Sequence, residues 1–538
     1  MNLITTELHE SWLTLFPALL AILVLFLPAL LPSTFCNRHA KKSAHYGSIL
    51  SATTLFLAFI VLVRVMGWGS VHVVLLQQGI FQVSLLLDSL SSVMFFLVAF
   101  LSAVVTRYSR NYLDGDPDRG HFMKWLCLTS ASVLLLVISG NLLLFLIAWI
   151  ATSMSLHKLL LFYPERPAAV LAARKKFYIS RIGDLCILAA LILTYQYFGT
   201  WDFPQLFSLA GELKNNGSSA APSGLFWIPL LLVAGALIKS AQFPFHSWLP
   251  DTMETPTPVS ALMHAGIINA GGFLIIRLSP IVSLSPASLN GLAIIGAITA
   301  LYASVVMLTQ TSIKRSLAYS TIAQMGFMML QCGLGAFSLA MLHIVAHSLY
   351  KAHAFLSSGS IVQMARHAWV PKGNPSAHPL ILISSMLLAI LITLGMGTLF
   401  NLSWQADVGV QVLGCVMMMA LAHFLWSLWG SGFLPKLLFW GFGITTLSAF
   451  LYYSLHTLSY ALFANSLPNY APARSTLEYV VMALIVALFF TVLLFQSQVA
   501  TWSRHSFWQT LYVHAYNGFY LGTLTSRLMG RKDTRARL

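Results

Sequence analysis

Charged residues are scarce in this 538-residue chain. Asp, Glu, Lys and Arg make up only 8% of the sequence, whereas about 25% is usual in soluble domains. Hydrophobic residues supply 58% of it and recur in runs along the whole length. This composition excludes a string of soluble domains and predicts a polytopic integral membrane protein.

Cysteine is also rare, and its distribution excludes two kinds of site. The five cysteines stand singly, with no Cys-x-x-Cys pair, so neither a disulfide framework nor a sulfur-ligated metal is indicated. His343 and His347 have the i, i+4 spacing of a zinc-binding helix, but the segment HIVAH lacks the glutamate of His-Glu-x-x-His. No motif for nicotinamide, flavin or iron–sulfur clusters is present. We therefore expect no metal, no cofactor and no redox activity in this chain.

Acidic residues are half as numerous as basic ones, 15 against 30. A net charge of +15 could indicate a nucleic-acid partner, but the basic residues lie in short loops between the apolar runs, as is typical of membrane topology. The loops of one side carry Arg38, Lys41, Lys42, Arg107, Arg110, Arg119, Arg166, Arg174, Lys175, Lys176, Lys314, Arg315, Arg366, Lys372 and Lys436. The opposite loops carry almost none, with Lys214 and Arg474 as exceptions. The positive-inside rule predicts an N-terminus outside and a C-terminus in the cytoplasm. We therefore expect the chain to contact membrane lipids and to bind no nucleic acid.

Apolar runs long enough to cross a bilayer are predicted at about fifteen places. They lie at 11–31, 46–66, 86–106, 122–139, 141–163, 174–198, 225–243, 257–278, 287–309, 312–332, 335–362, 379–400, 408–430, 433–461 and 475–498. Residues 70–84 are too short and too regularly alternating for a span, and predict a surface hairpin. Residues 502–530 mix aromatic and basic residues, which indicates either an amphipathic helix on the membrane surface or a docking surface for a partner.

These features divide the chain into four predicted regions. The N-terminal helices and the hairpin occupy 1–85, the core 86–365, further spans 366–500, and the amphipathic helix with its basic tail 501–538.

One stretch, 235–277, interrupts the apolar pattern and carries two ionisable residues. Lys239 ends one apolar run and His264 lies in the next, with four prolines between them: Pro244, Pro250, Pro256 and Pro258. Proline lacks a backbone donor and clashes with the preceding turn, so this helix is predicted to break. Irregular backbone at membrane depth persists only inside protein or beside a wet cavity. We therefore expect the moving ion to pass here.

Other ionisable residues also fall deep within predicted spans. Asp184 stands three residues after Arg181, so the two can pair on one helix face; a structural ion pair and a proton relay both fit this spacing. His157 lies deep in the fifth span. His343, His347 and Lys351 fall at i, i+4 and i+8, which stacks them on one face and suits a hydrogen-bonded proton path.

Several long motifs occur in the order seen in a known family. KSAQFPFHSWLPDTMETPTPVSALMHA, IKRSLAYSTIAQMGFM and HIVAHSLYKAHAFLSSGSI resemble signatures of the antiporter-like subunits of respiratory complex I, in the subunit 5 (NuoL) branch that includes MrpA. LDSLSSVMFFLV and YLDGDP extend the match. The resemblance implies an all-α fold with two inverted five-helix repeats and broken helices. It places Lys239, His264, His343, His347 and Lys351 on a buried hydrophilic axis.

The chain also departs from the family pattern. The family has a glutamate after the tryptophan of the fifth span, and that glutamate pairs with the lysine matched here by Lys239; this chain has Ile150 instead. Asp184 or His157 is the candidate substitute. The lysine of the second repeat has no clear counterpart, and Lys436 is a weak candidate.

Within this family the core and the short tail most resemble the DabB-type membrane subunits of bacterial inorganic carbon transporters. That resemblance implies a partner of the DabA type, a zinc protein similar to β-carbonic anhydrases, and a bacterial inner-membrane location. Cation flow, expected to be of protons, would drive the partner to hydrate CO2 in one direction. The alternatives are a subunit of complex I or a membrane hydrogenase, and a Mrp-type cation/proton antiporter subunit. Under each alternative the chain is a transport subunit and not itself an enzyme.

Overall fold

The computed structural model of the chain describes residues 2–79, 81–215, 223–359, 379–400, 408–429, 435–468, 476–502 and 506–528. Apart from one hairpin, the regular structure is helical. The helices, numbered in chain order, are α1 (Asn2–Phe26), α2 (Ser33–Arg38), α3 (Ala40–Trp68), α4 (Ser89–Tyr112), α5 (Arg119–Ile138), α6 (Leu142–Leu160), α7 (Pro167–Phe198), α8 (Phe203–Asn215), α9 (Trp227–Lys239), α10 (Trp248–Asp251), α11 (Thr257–Ala265), α12 (Ala270–Arg277), α13 (Ser279–Val282), α14 (Pro286–Thr309), α15 (Ile313–Gly333), α16 (Phe337–Leu356), α17 (Pro379–Leu399), α18 (Val408–Trp429), α19 (Pro435–Phe463), α20 (Thr476–Trp502), α21 (Ser506–Tyr516) and α22 (Leu521–Leu528).

The helices confirm a multi-pass membrane protein. Within the described residues, eleven segments are long and apolar enough to cross a bilayer, and Trp227–Lys239 and Glu478–Leu494 are shorter apolar helices. The helices α15 and α16, of 21 and 20 residues, are not among the eleven. Each predicted run overlaps a helix, except that 257–278 overlaps two, α11 and α12. The count of fifteen crossings stays a prediction.

The predicted hairpin at 70–84 is present. Strands β1 (Val71–Gln78) and β2 (Phe81–Leu87) pair antiparallel, with an irregularity between Val74 and Leu76. The second half of β2 is buried, so the hairpin lies partly inside the fold. Asp202 fixes it there: its carboxylate accepts a hydrogen bond from Ser84 Oγ at 2.8 Å and lies 3.1 Å from His72 Nε2.

A buried ion pair ties the start of α4 to the end of α12. Arg277 Nη1 and Nη2 lie 2.7 and 2.9 Å from the two carboxylate oxygens of Asp88. The same carboxylate caps α4 by accepting the backbone N–H of Ser91 at 2.8 Å. A bidentate pair with capping bonds satisfies both charges, which burial requires. Sequence reasoning did not pair these residues, because 189 positions separate them.

The C-terminal segment forms two short helices instead of the one predicted. The chain turns between α21 and α22 at Gly518–Tyr520, where all three residues have positive φ. Contacts hold the pair under α14 and the broken helix: Tyr302 Oη donates to Gly518 O at 2.9 Å, and Ser247 Oγ lies 2.9 Å from Thr525 Oγ1. The segment therefore packs against the core helices at one end of the bundle.

The basic loops gather on the same side as this segment. Gln310 Nε2 donates to Tyr516 O at 3.1 Å, Lys175 Nζ to Gly522 O at 3.5 Å, and Tyr163 Oη to Asp116 Oδ2 at 3.4 Å. We call this side, which carries the loops after α4, α6 and α14, the basic face.

The twelfth predicted span is not broken. The resemblance implies a second broken helix, for which the sequence gives no clear position, and the span that follows the broken one by five is 379–400. There α17 runs without interruption over Pro379–Leu399 and carries no charged residue. The expected second broken helix is therefore not found within these residues. Lys436, the weak candidate for the second lysine, is exposed at the start of α19.

Candidate ion pathway

Lys239 occupies the last position of α9, at the predicted break. The next residues leave the helix, and Ala241 has a φ of 51°. The side chain is buried, with a residue exposure of 7%. Its Nζ lies 4.2 Å from the ring centroid of Trp149 and has no hydrogen-bond partner within the described residues. The face of an aromatic ring attracts a cation, so Trp149 is the nearest stabilising group of this ammonium.

Asp184 lies on the other side of the same tryptophan. Trp149 Nε1 donates a hydrogen bond to Asp184 Oδ1 at 3.0 Å, and Arg181 Nη2 lies 2.7 Å from Oδ2. The predicted Arg181–Asp184 pair is therefore formed, on one face of α7. One indole ring separates this carboxylate from Lys239. Asp184 is thus hydrogen-bonded to the residue directly before Ile150, the position at which the resemblance implies a glutamate.

Lys176 belongs to the same cluster, which the sequence did not reveal. Its Nζ donates to the Oγ and carbonyl oxygen of Ser153 at 2.8 and 2.9 Å, and Arg181 Nη2 donates to that Oγ at 3.2 Å. The prediction of a basic loop at Lys175 and Lys176 is wrong, because α7 begins at Pro167 and both residues are buried. Lys176 precedes Asp184 by eight positions, and this i, i+8 spacing on one helix face was the available signal.

His157 lies outside the hydrogen bonds of this cluster. Its ring is 5.1 Å from the ring of Phe177, and its Nδ1 is buried without a hydrogen-bond partner in the described part of the chain. The structure thus brings Asp184, and not His157, next to Trp149 and Lys239.

The break is longer than predicted, and it is followed by a second one. Residues 240–256 contain only short helical turns, with Pro244 and Pro250 among them. Pro256 and Pro258 instead start α11, where proline is favoured. The predicted span 257–278 is itself interrupted between α11 and α12 by a 3₁₀ turn over Ile267–Asn269.

The two breaks are hydrogen-bonded to each other and to α16. Ser240 Oγ donates to the carbonyl oxygen of Ile268 at 2.7 Å. Asn269 Nδ2 donates to Ala265 O and to Ser348 Oγ, both at 2.8 Å. The carbonyl groups of Ala265 and Ile268, at the second break, therefore find side-chain donors inside the protein.

His264 lies at this junction and is fully buried. Its ring stacks on Phe355 with 4.4 Å between ring centroids, and neither ring nitrogen has a hydrogen-bond partner within the described residues. His347 Nε2 lies 3.3 Å from the carbonyl oxygen of His264. The contact between the two histidines is thus through backbone, and their rings are not directly bonded.

His343, His347 and Lys351 form a row on α16, and this row faces α15 and the second break. His343 Nδ1 lies 2.9 Å from Gln331 Oε1, and the rings of His343 and His347 are 6.0 Å apart. Lys351, with a fully buried side chain, donates to Ser320 Oγ at 2.7 Å. The Lys239 cluster lies at the first break and the row on α16 packs against the second, and Ser240 and Asn269 connect the two breaks and α16 through backbone and serine groups.

No group of three or more His, Cys, Asp or Glu side chains within the described residues is arranged to hold a metal ion. His343 contacts the side-chain amide of Gln331, and His347 contacts the backbone carbonyl of His264.

Comparison with known proteins identifies the class. Residues 139–372 match the family model "NADH:quinone oxidoreductase/Mrp antiporter, TM", and residues 77–123 match "NADH-Ubiquinone oxidoreductase (complex I), chain 5 N-terminus". A chain in the solved structure of the Mrp complex from Dietzia sp. DQ12-45-1b has the same fold, with a TM-score of 0.63 and 22% identity over 97% of this chain and 61% of that one. The protein is thus an antiporter-like membrane subunit.

Two curated relatives narrow the class. The chain is 38% identical over 488 residues to the probable inorganic carbon transporter subunit DabB2 of Halothiobacillus neapolitanus, covering 91% of this chain and 87% of the relative. It is 41% identical over 348 residues to the probable subunit DabB of Hydrogenovibrio crunogenus, covering 64% of each. The chain belongs to the DabB family of inorganic carbon transporter subunits.

Proposed function

We propose that the chain is the proton-translocating subunit of an energy-coupled transporter that accumulates bicarbonate from CO2. The observation that carries this proposal is the placement of ionisable groups inside the protein at two helix breaks that are hydrogen-bonded to each other. Ionisable residues at membrane depth are rare and mark ion paths. Membership of the DabB family supports inorganic carbon as the substrate class. The antiporter-like fold supports coupling of transport to the movement of a cation.

In this proposal Lys239 and Asp184 are the exchanging pair of the first half of the path. A proton held on Lys239 is stabilised by the Trp149 ring and, beyond it, by the carboxylate. Three cations, Lys176, Arg181 and Lys239, share the single carboxylate of Asp184. Arg181 and Lys239 therefore compete for it. A change in charge on Lys239 therefore alters the Arg181–Asp184 pair, which gives the site two electrostatic states.

His264, His343, His347 and Lys351 form the second part of the proposed path. Imidazole exchanges protons near neutral pH, and Ser320 and Gln331 hold the outer members in place. Proton transfer between His264 and His347 requires an intervening water or a ring movement, because their contact is through backbone. His157 stays a predicted member at the edge of the first cluster.

We further propose that the basic face is cytoplasmic and that the protein lies in a bacterial inner membrane, with a periplasmic N-terminus. The positive-inside rule supports this orientation, since the basic loops and the segment α21–α22 share that face. A DabA-type partner, similar to β-carbonic anhydrases and carrying the catalytic zinc, would bind there. The present chain then moves ions and leaves the hydration of CO2 to its partner.

A Mrp-type antiporter subunit is the second candidate, and the fold favours it because the Mrp chain superposes on 97% of this one. A subunit of a redox complex is the third. Co-purification separates them: the first candidate predicts one large zinc-containing partner, and the others predict several membrane partners.

The coupling ion can be tested in cells that express the chain with a DabA-type partner. If protons drive uptake, a protonophore should lower bicarbonate accumulation to the level of cells without the transporter, because it collapses the driving gradient. Accumulation would be measured with isotopically labelled inorganic carbon. Uptake that survives the protonophore but is lost with a sodium ionophore would make sodium the coupling ion.

The partner can be tested through the C-terminal segment. Deleting residues 502–538 should release the partner from purified membranes, because it removes α21 and α22 from the basic face. The matched control deletes only 529–538, which keeps both helices. Co-purification of the partner in a one-to-one ratio with the longer deletion would place its docking surface elsewhere, on the loops after α4 and α16.

A further inference from the structure

A groove on the membrane side of the bundle lies away from the ion path. Three helices line it: α1 with Ile22 and Phe26, α5 with Trp125 and Leu135, and α6 with Ala151 and Met154. Its volume is about 300 Å³ and its lining is almost entirely apolar. On α5 the lining follows one helix face, since Trp125, Leu128, Ser132 and Leu135 recur at i, i+3, i+7 and i+10.

The length of the groove matches one leaflet. Trp125 and Leu135 are ten residues apart, which is about 15 Å along a helix. The hydrocarbon core of a bilayer is about 30 Å thick. Trp125 lies near the start of α5, at the basic face, so the groove runs from the headgroup level to about the middle of the membrane.

The end of the groove at the basic face is positively charged. Lys124 Nζ and Lys158 Nζ each lie 6.0 Å from the Trp125 ring centroid. Lys124 also donates to the carbonyl oxygen of Leu31 at 2.6 Å, and Lys158 is exposed. The indole Nε1–H of Trp125 is buried without a hydrogen-bond partner within the described residues. The nearby acid, Asp118, accepts a hydrogen bond from Asn37 at 2.7 Å.

We propose that this groove is a binding site for one anionic phospholipid. An acyl chain occupies the apolar part between α1, α5 and α6. The phosphate lies between Lys124 and Lys158, with the Trp125 Nε1–H as a further donor. Two lysines and an amphipathic tryptophan at the headgroup level provide the charge complementarity that distinguishes an anionic lipid from a neutral one.

The lipid site and the ion path share one helix, α6. Ala151 and Ser155 line the groove on α6, and on other faces of the same helix Trp149 contacts Lys239 and Ser153 contacts Lys176. A chain in the groove therefore packs against the helix that positions the first cluster.

Native mass spectrometry of the purified full-length protein tests this site. The probes are palmitoyl-oleoyl phosphatidylglycerol and phosphatidylcholine with the same chains. Lys124→Ala/Lys158→Ala should weaken phosphatidylglycerol binding about 30-fold, since each basic residue near the headgroup contributes about a fivefold factor. Phosphatidylcholine binding should not change. The control Lys41→Ala/Lys42→Ala removes the same charge from exposed positions on the same side and should match the wild type.

A second variant tests the apolar part. Ala151→Trp projects a large side chain into the groove from an exposed position, and should abolish stoichiometric binding of both lipids by steric exclusion. Ala483→Trp, at an exposed position of α20, is its control and should bind normally. Equal losses in both lysine pairs, or full binding by Ala151→Trp, would overturn the proposal in favour of a diffuse surface attraction.

Discussion

Replacing Lys239 with alanine should reduce bicarbonate accumulation to the level of cells without the transporter. The variant should still insert, because alanine removes a buried charge without creating a new one. Lys239 is the buried cation at the first break, and its ammonium is stabilised only by Trp149 and the nearby carboxylate among the described groups. Labelled-carbon uptake at equal protein level in the membrane is the measurement.

An arginine at the same position separates two explanations. Lys239→Arg keeps a positive charge over the Trp149 ring, but arginine does not release its proton in proteins. If the site exchanges protons, this variant should be as inactive as the alanine variant. Lys436→Ala, at an exposed lysine, is the control and should transport normally. An active arginine variant would reduce Lys239 to a structural cation.

Replacing Asp184 with asparagine should have a comparably large effect on transport. Asparagine can still accept the hydrogen bond from Trp149, but it leaves the buried Lys176 and Lys239 and the half-buried Arg181 without this acidic neighbour. Removing one partner from a buried ion pair destabilises by about 3–5 kcal/mol. We therefore expect both a loss of uptake and a lower melting temperature in detergent. Asp184→Glu keeps the negative charge and should therefore retain part of the uptake and part of the thermal stability.

Two further variants sharpen the test of Asp184. Asp202→Asn removes a different buried carboxylate, at the hairpin, and should affect stability while leaving the coupling ratio of the remaining uptake unchanged. Adding Ile150→Glu to Asp184→Asn returns a carboxylate to the position used elsewhere in the family, and should restore part of the uptake. Full uptake by Asp184→Asn alone would remove the carboxylate from the mechanism.

The sequence predicted the features that depend on local pattern. The hairpin, the apolar runs, the break after Lys239 and the Arg181–Asp184 pair all follow from spacing within a few turns. The i, i+4, i+8 row on α16 was also found, although its partners on α15 were not. Each of these requires only the period of a helix or strand and the chemistry of proline.

Features that depend on packing between distant segments were not predictable. Lys176 looks like a loop residue until α7 is seen to begin at Pro167, and Asp88 has no sequence signal that points to Arg277. The interruption at Ile267–Asn269 contains no proline, and it is sustained by contacts from Ser240 and Ser348 on other helices. The turn between α21 and α22 is likewise fixed by Tyr302.

The carboxylate on α7, in place of one on α6, constrains how such a site can evolve. A lineage that exchanges one arrangement for the other passes through a sequence with both carboxylates or with neither. The sequence with neither leaves the buried Lys176 and Lys239 and the half-buried Arg181 without a counter-charge, which destabilises the fold. The sequence with both is tolerable, because the cations still outnumber the acids. The expected order is therefore gain of Asp184 first and loss of the glutamate second, with Ile150 as the later substitution.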